Sequence, residues 1–126
     1  MGQHGYVYLI KGPRKDGKDL FKIGRTINPK TRFLNLQTGS PVSLELVKIT
    51  KAKNPKELER YLHDHCAEMR VRGEWFALGK KDIRSVKKIM KNHGVKSGKK
   101  KLLALLILSI LAIGYLNINT SILNLY

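Results

Sequence analysis

Phe21-Lys22-Ile23-Gly24-Arg25-Thr26-Ile27-Asn28-Pro29-Lys30-Thr31-Arg32 begins as a short apolar strand, halts at a glycine, turns through Asn-Pro and enters a helix that carries an arginine. Three cationic side chains, Lys22, Arg25 and Arg32, are thereby brought to one turn, where they can crowd around a phosphate. Upstream, Tyr6-Val7-Tyr8-Leu9-Ile10 places tyrosines at period two, as a half-buried strand does. Pairing this run with the Phe21 strand, through a polar connection over 12–18, sets a tyrosine beside the arginines.

The charge of the chain divides sharply along its length. Among 126 residues, 25 are basic and 9 acidic, a net charge of +16. Residues 1–79 hold 15 of the basic and 8 of the acidic side chains, residues 80–101 hold 10 and 1, and the last 25 residues hold none. The charged part addresses a polyanion, either nucleic acid or an anionic lipid surface. Cys66 is the single cysteine, which excludes an intramolecular disulfide and a cysteine-based zinc cage, and fits a reducing compartment. The N-terminal residues match neither a signal peptide nor a myristoylation motif.

Asn28 and Pro29 are a good N-cap and N1 pair, so a helix is expected to about Thr38, with Phe33, Leu34, Leu36 and Ile27 as its apolar side. Leu44, Leu46, Val47 and Ile49 predict a third strand of imperfect alternation. Asn54-Pro55 opens a second helix whose packed stripe is Leu58, Tyr61, Leu62, His65, Cys66 and Met69, with Glu59 and His63 sharing a different face. Gly73 to Leu78 is a short strand or extended return. A helix follows over 80–92, with Ile83, Val86, Ile89 and Met90 inward, an outer face of lysine, and a C-cap at His93-Gly94.

Residues 94–101 form a basic hinge, and residues 102–126 a hydrophobic tail. Leu102 to Leu116 is apolar apart from Ser109 and Gly114. As a helix it spans roughly 22 Å, short of the roughly 30 Å hydrocarbon core. The flanking lysines nevertheless favour a C-terminal membrane anchor on the cytoplasmic side; the alternatives are a buried or self-associating helix and an incidental extension.

Hydrolysis of a phosphodiester needs a group that takes or relays a proton, positive charge on the phosphate, and usually a divalent cation on a carboxylate. Tyr8 is the candidate for the first, Lys22, Arg25 and Arg32 for the second, and Glu59 for the third, since one carboxylate with waters and substrate oxygens is enough for magnesium. Each has a plainer reading: Tyr8 as a packing residue, the arginines as surface charges, Glu59 as a first-turn glutamate serving the helix dipole. His63, on the face of Glu59, is a candidate nucleic-acid contact. Glu74, beside Trp75, is either a second carboxylate of the site or an ordinary partner for Arg70 or Arg72, and the ordinary role is favoured.

Tyr6-Val7-Tyr8, then Lys22-Ile23-Gly24-Arg25-Thr26, Arg32, Leu58-Glu59-Arg60-Tyr61-Leu62-His63 and Gly73-Glu74-Trp75-Phe76 together resemble the GIY-YIG nuclease superfamily, most closely its phage and large-virus branch with a KIG second motif. The resemblance covers about residues 5–90. It implies a small α+β domain over 1–93, with a three-stranded antiparallel sheet flanked by helices and catalytic groups on the sheet surface. It implies one metal ion, magnesium or manganese. Tyr8 matches the tyrosine of the first motif, Arg32 the phosphate-contacting helix arginine, and Glu59 the metal-binding glutamate. Lys22 departs from the family, standing where the second tyrosine usually is. The expected function is a metal-dependent endonuclease acting on DNA. A DNA-binding module of the same fold with little catalytic power and a membrane-associated basic adaptor are the alternatives. The expected location is the cytoplasmic side of a membrane if the tail inserts, and otherwise the cytoplasm or nucleus of a host cell.

Overall fold

The computed structural model describes residues 4–95, so the hydrophobic tail over 102–126, its helix and most of the basic hinge lie outside the described residues. Among the described residues, no helix is long and apolar enough to cross a membrane. Strands β1 (Gly5–Lys15) and β2 (Lys18–Thr26) form an antiparallel hairpin. The connection is tighter than expected. Both strands continue through the polar segment to a two-residue Asp16-Gly17 turn with φ of 51° and 76°, and Asp-Gly tolerates the positive φ that such turns require.

Helix α1 (Pro29–Thr38) starts as expected, the Asn28 side chain accepting from the Thr31 N–H. Only Phe33 is fully packed. Ile27 and Leu34, expected on the apolar side, are 66% and 42% exposed, because α1 meets the sheet through Phe33 and Leu36. Strand β3 (Glu45–Ala52) pairs with β1. Its imperfect alternation is a β-bulge: Leu9 faces Lys48 while Ile10 faces Leu46, leaving Val47 as the extra residue. Val47 accordingly packs on one face of the sheet and Leu46 and Ile49 on the other.

Helix α2 (Pro55–His65) is capped by Asn54, whose Oδ1 accepts from the Glu57 N–H at 3.2 Å. Its packed stripe is narrower than predicted: Leu58, Leu62 and Cys66 are buried, whereas Tyr61 is 51% exposed and His65 is exposed. One layer of sheet accommodates only the centre of the stripe. After a 3-10 turn (Ala67–Met69), strands β4 (Arg70–Arg72) and β5 (Trp75–Ala77) flank Gly73, whose φ is 55°. Helix α3 (Lys80–His93) closes the described chain, the Asp82 carboxylate accepting from the Gly79 N–H at 2.9 Å.

The sheet therefore has five strands in the order β3-β1-β2-β5-β4, all neighbours antiparallel, rather than the three expected. The two additional strands are three residues long; β5 lies in the 73–78 stretch read as a short strand or extended return, and it joins the sheet, with β4 beside it, by pairing with the edge of β2. One face packs Val7, Leu9, Phe21, Ile23 and Phe76 against Leu58 and Leu62 of α2 and Val86 and Met90 of α3. The other packs Tyr8, Ile10 and Ile49 under Phe33 of α1.

Leu62 is fully buried in the first cluster. Leu62→Ala is expected to lower unfolding free energy by about 2–5 kcal/mol. Tyr61→Ala, one position away but half exposed, is expected to cost less than about 1 kcal/mol, both read by urea denaturation.

Candidate functional site

The hairpin register places Tyr8 directly opposite Gly24. A Cβ at position 24 would lie 2.4 Å from the Tyr8 hydroxyl oxygen, so glycine is what lets the phenol lie across β2. Phe33 meets the ring edge-on at 5.3 Å between centroids. From the first turn of α1, Arg32 Nε–H donates to the Tyr8 hydroxyl at 3.1 Å.

Lys22 and Gly24 share the sheet face of Tyr8, whereas Ile23 and Arg25 share the opposite face with α2. The ladder between β2 and β5 pairs Lys22 with Trp75 and reaches as far as the Ile23 N–H, which donates to the Glu74 C=O at 3.2 Å. Beyond that point β5 leaves β2. The notch so formed is where side chains of both faces meet. Lys22 Nζ lies 2.8 Å from the Glu74 carboxylate and 5.5 Å from the Trp75 ring centroid. On the α2 side, Arg25 Nε lies 3.4 Å from Glu59 Oε2. His63, one turn after Glu59, donates from Nε2 to the Ile23 C=O at 2.8 Å and packs its ring on Phe76. Because a carbonyl can only accept, this bond fixes the hydrogen on Nε2 and leaves Nδ1 of the neutral ring as an acceptor. His63 thus holds α2, and with it Glu59, to the edge of β2.

The electrostatics express the same convergence. Burial raises the Tyr8 phenol above its ordinary value, the Arg32 hydrogen bond and charge oppose the rise, and Glu74 and Glu59 add to it. Glu59 is also raised, first by burial and then by Glu74, against the opposing charges of His63, Arg25 and Lys22. The hydrogen bond to Tyr8 raises Arg32 further, so its charge is permanent.

Tyr8, Lys22, Arg25, Arg32, Glu59 and His63 are therefore all arranged around this notch, tied in pairs rather than pointing at one empty point. Glu74 joins them, as the less favoured of its two readings allowed. Its partner is Lys22 and not Arg70 or Arg72, because the β2–β5 pairing brings it alongside Lys22. The signal available in the sequence was its place next to Trp75, an aromatic that a lysine on the neighbouring strand can cover.

Among the described residues, no three His, Cys, Asp or Glu side chains converge in a metal cage. His65 Nε2 pairs with Ser85 Oγ at 2.9 Å, and Cys66 is buried. The donor chemistry at the notch is instead one half-buried carboxylate within the field of a second, Glu59 and Glu74. That set suits a hard cation that keeps several waters.

Two measurements check these placements. Gly24→Ala forces Tyr8 off its seat and is expected to cost about 1–3 kcal/mol of stability, whereas Tyr8→Phe, which keeps the ring, costs about 0.5–1.5 kcal/mol. Burial pushes the Cys66 thiol up to about 11. Alkylation of the native protein at pH 8 is therefore expected to be far slower than that of the urea-unfolded chain.

No curated protein and no solved structure matches the chain. The family model of the T5orf172 domain, a domain found in phage and other nucleases, matches residues 5–91, the span from the first residue of β1 into α3 that contains every residue of the notch. The chain belongs to the T5orf172 domain family.

Proposed function

We propose that this protein is a metal-dependent endonuclease that hydrolyses DNA phosphodiester bonds at the β2–β5 notch, in the manner of the GIY-YIG enzymes that its motifs resemble. The observation that carries the reading is the Arg32–Tyr8 hydrogen bond at 3.1 Å; it is supported by Lys22 paired with Glu74 on the same sheet face and Arg25 paired with Glu59 on the other. Arg32, Arg25 and Lys22 bind the phosphate and oppose the charge that develops on its oxygens as water adds and the sugar oxygen leaves. The raised phenol is protonated at neutral pH. It suits a relay, accepting a proton from the attacking water as its own passes to the leaving sugar oxygen, better than it suits a standing base. Arg32 stabilises negative charge on the phenol oxygen during that exchange.

Glu59, with Glu74 near it, is the donor that would hold magnesium or manganese, and the ion would supply charge neutralisation at the phosphate and a more acidic water. A bound cation would also relieve the mutual repulsion of the two carboxylates. Metal affinity is accordingly expected to weaken as pH falls toward the raised Glu59 value, above the ordinary glutamate range, because Glu59 must ionise to serve as a ligand.

A second reading, a DNA-binding module of the same fold with little catalytic power, draws on two observations. Lys22 stands in place of a second phenol and is tied to Glu74, and Tyr8 is fully buried.

Nicking of supercoiled plasmid by the full chain with magnesium, manganese or EDTA separates the two. Metal-dependent nicking is expected, reduced at least about 100-fold in Glu59→Gln and in Tyr8→Phe. Salt-sensitive binding without nicking under any metal would establish the binding module. Glu59→Gln has a second readout. The folded protein holds this proton more tightly than the unfolded chain does, so wild-type stability falls as pH rises from the ordinary glutamate value through the raised one. The variant, free of that penalty, is expected to melt above the wild type at pH 7 while having lost activity.

A further inference from the structure

Helix α3 carries Lys80, Lys81, Arg84, Lys87, Lys88 and Lys91, all exposed. At 3.6 residues per turn these six cations fall within an arc of about 120° and run about 16 Å along the helix. The buried side chains of the same helix, Val86 and Met90 with the partly buried Ile83 and Ile89, lie on the opposite arc and pack on the sheet face that holds Val7, Leu9, Ile23 and Phe76. The basic arc therefore points away from the sheet, and from the face that holds Tyr8, Lys22 and Arg32, by the thickness of a helix, roughly 10–12 Å.

Among the described residues, none of the six makes an ion pair, and the one acidic residue of the helix, Asp82, is engaged by the Gly79 N–H. The spacing also sets like charges at i,i+3 and i,i+4, as in Lys80/Arg84, Arg84/Lys88 and Lys87/Lys91, which opposes helix formation. Bringing an extended anion onto this arc would turn that repulsion into attraction. Its row of positive charge matches the phosphate rows of a duplex, which present one charge per roughly 1.7 Å of axis.

We propose that the outer face of α3 holds a second DNA duplex segment, separate from the segment presented to the notch, so that one chain bridges two segments of DNA. The inference rests on the reading of DNA as the ligand and not on cleavage. A straight duplex seated at the notch lies along the β2 edge beside Lys22, Arg25 and Arg32, whereas the α3 arc faces outward from the far side of its helix, so the two surfaces are satisfied together by two segments or by two arms of a branched molecule.

The test is a capture assay with the full chain in EDTA, which stops cleavage: one duplex is tethered to beads and a second, labelled duplex is free. The wild type is expected to retain the labelled duplex on the beads. The logarithmic salt slope of that retention should fall by roughly 0.9 for each phosphate-contacting cation removed. Replacing all six cations by Gln is expected to abolish retention while leaving binding of a single duplex in place, whereas replacing the five lysines by Arg is expected to preserve it. Circular dichroism establishes that both variants fold. Equal retention by the Gln variant would overturn the proposal, as would absence of bridging by a wild type that binds single duplexes. So would flotation with phosphatidylserine vesicles that depends on the six cations in a protein that does not bridge. Failure of plasmid nicking with retention intact would sink the nuclease reading alone, and failure to bind any duplex would sink both.

Discussion

The hairpin register that sets Tyr8 over Gly24 is the constraint on which the rest of the molecule depends. A phenol without a clear strand beneath it could not lie across β2 with its hydroxyl against Arg32. Shifting the pairing by one residue would send Tyr8 to the face of α2 and exchange the two cores. The register is held by the alternation of Val7 and Leu9 on one side against Tyr8 and Ile10 on the other, and by the Asp16-Gly17 turn at the far end of the hairpin. One short-range feature therefore positions both the apolar layers and the polar groups of the site.

From that register the notch follows. The β2 edge is covered by β5 only as far as the Ile23 N–H, and the Ile23 carbonyl is taken by His63. A strand edge is thereby satisfied by a helix side chain, and the exchange of partner is what admits Glu59 beside Arg25. Burial holds Glu59 above the ordinary glutamate range, and the charge of Glu74 adds to the rise against the opposing cations. A site that holds ionisable groups at a disadvantage gives up stability for a waiting charge distribution, which is common where a protein acts on a charged ligand.

The surface is organised in the same economy. Among the described residues, four ion pairs, between Lys11 or Arg14 and Asp19, Lys22 and Glu74, and Arg25 and Glu59, use three of the acidic side chains. With 25 basic residues against 9 acidic ones, most cations have no acidic neighbour to meet, and on α3 they gather on a single arc. The excess is a statement about partners and solubility rather than about the fold, which is built by the apolar clusters beneath.

Much of this was legible in local chemistry. Asn-Pro twice announces a helix start, and both asparagines cap as such pairs do, because the missing proline N–H is one that the first turn leaves unbonded anyway. The period of Ile83, Val86, Ile89 and Met90 located α3, and the motif residues marked the elements that meet at the notch. Tertiary structure alone decided the rest. Strand β5 falls in the stretch read as a short strand or extended return, but its place in the sheet, and β4 beside it, follow from the edge that β2 offers. Tyr61 and His65 were left outside the core because a helix on one sheet buries a stripe narrower than its apolar sequence pattern. The placement of Glu74 on Lys22, and of His63 on a backbone carbonyl, is a matter of partners distant in sequence, 52 and 40 residues away, which no local pattern encodes.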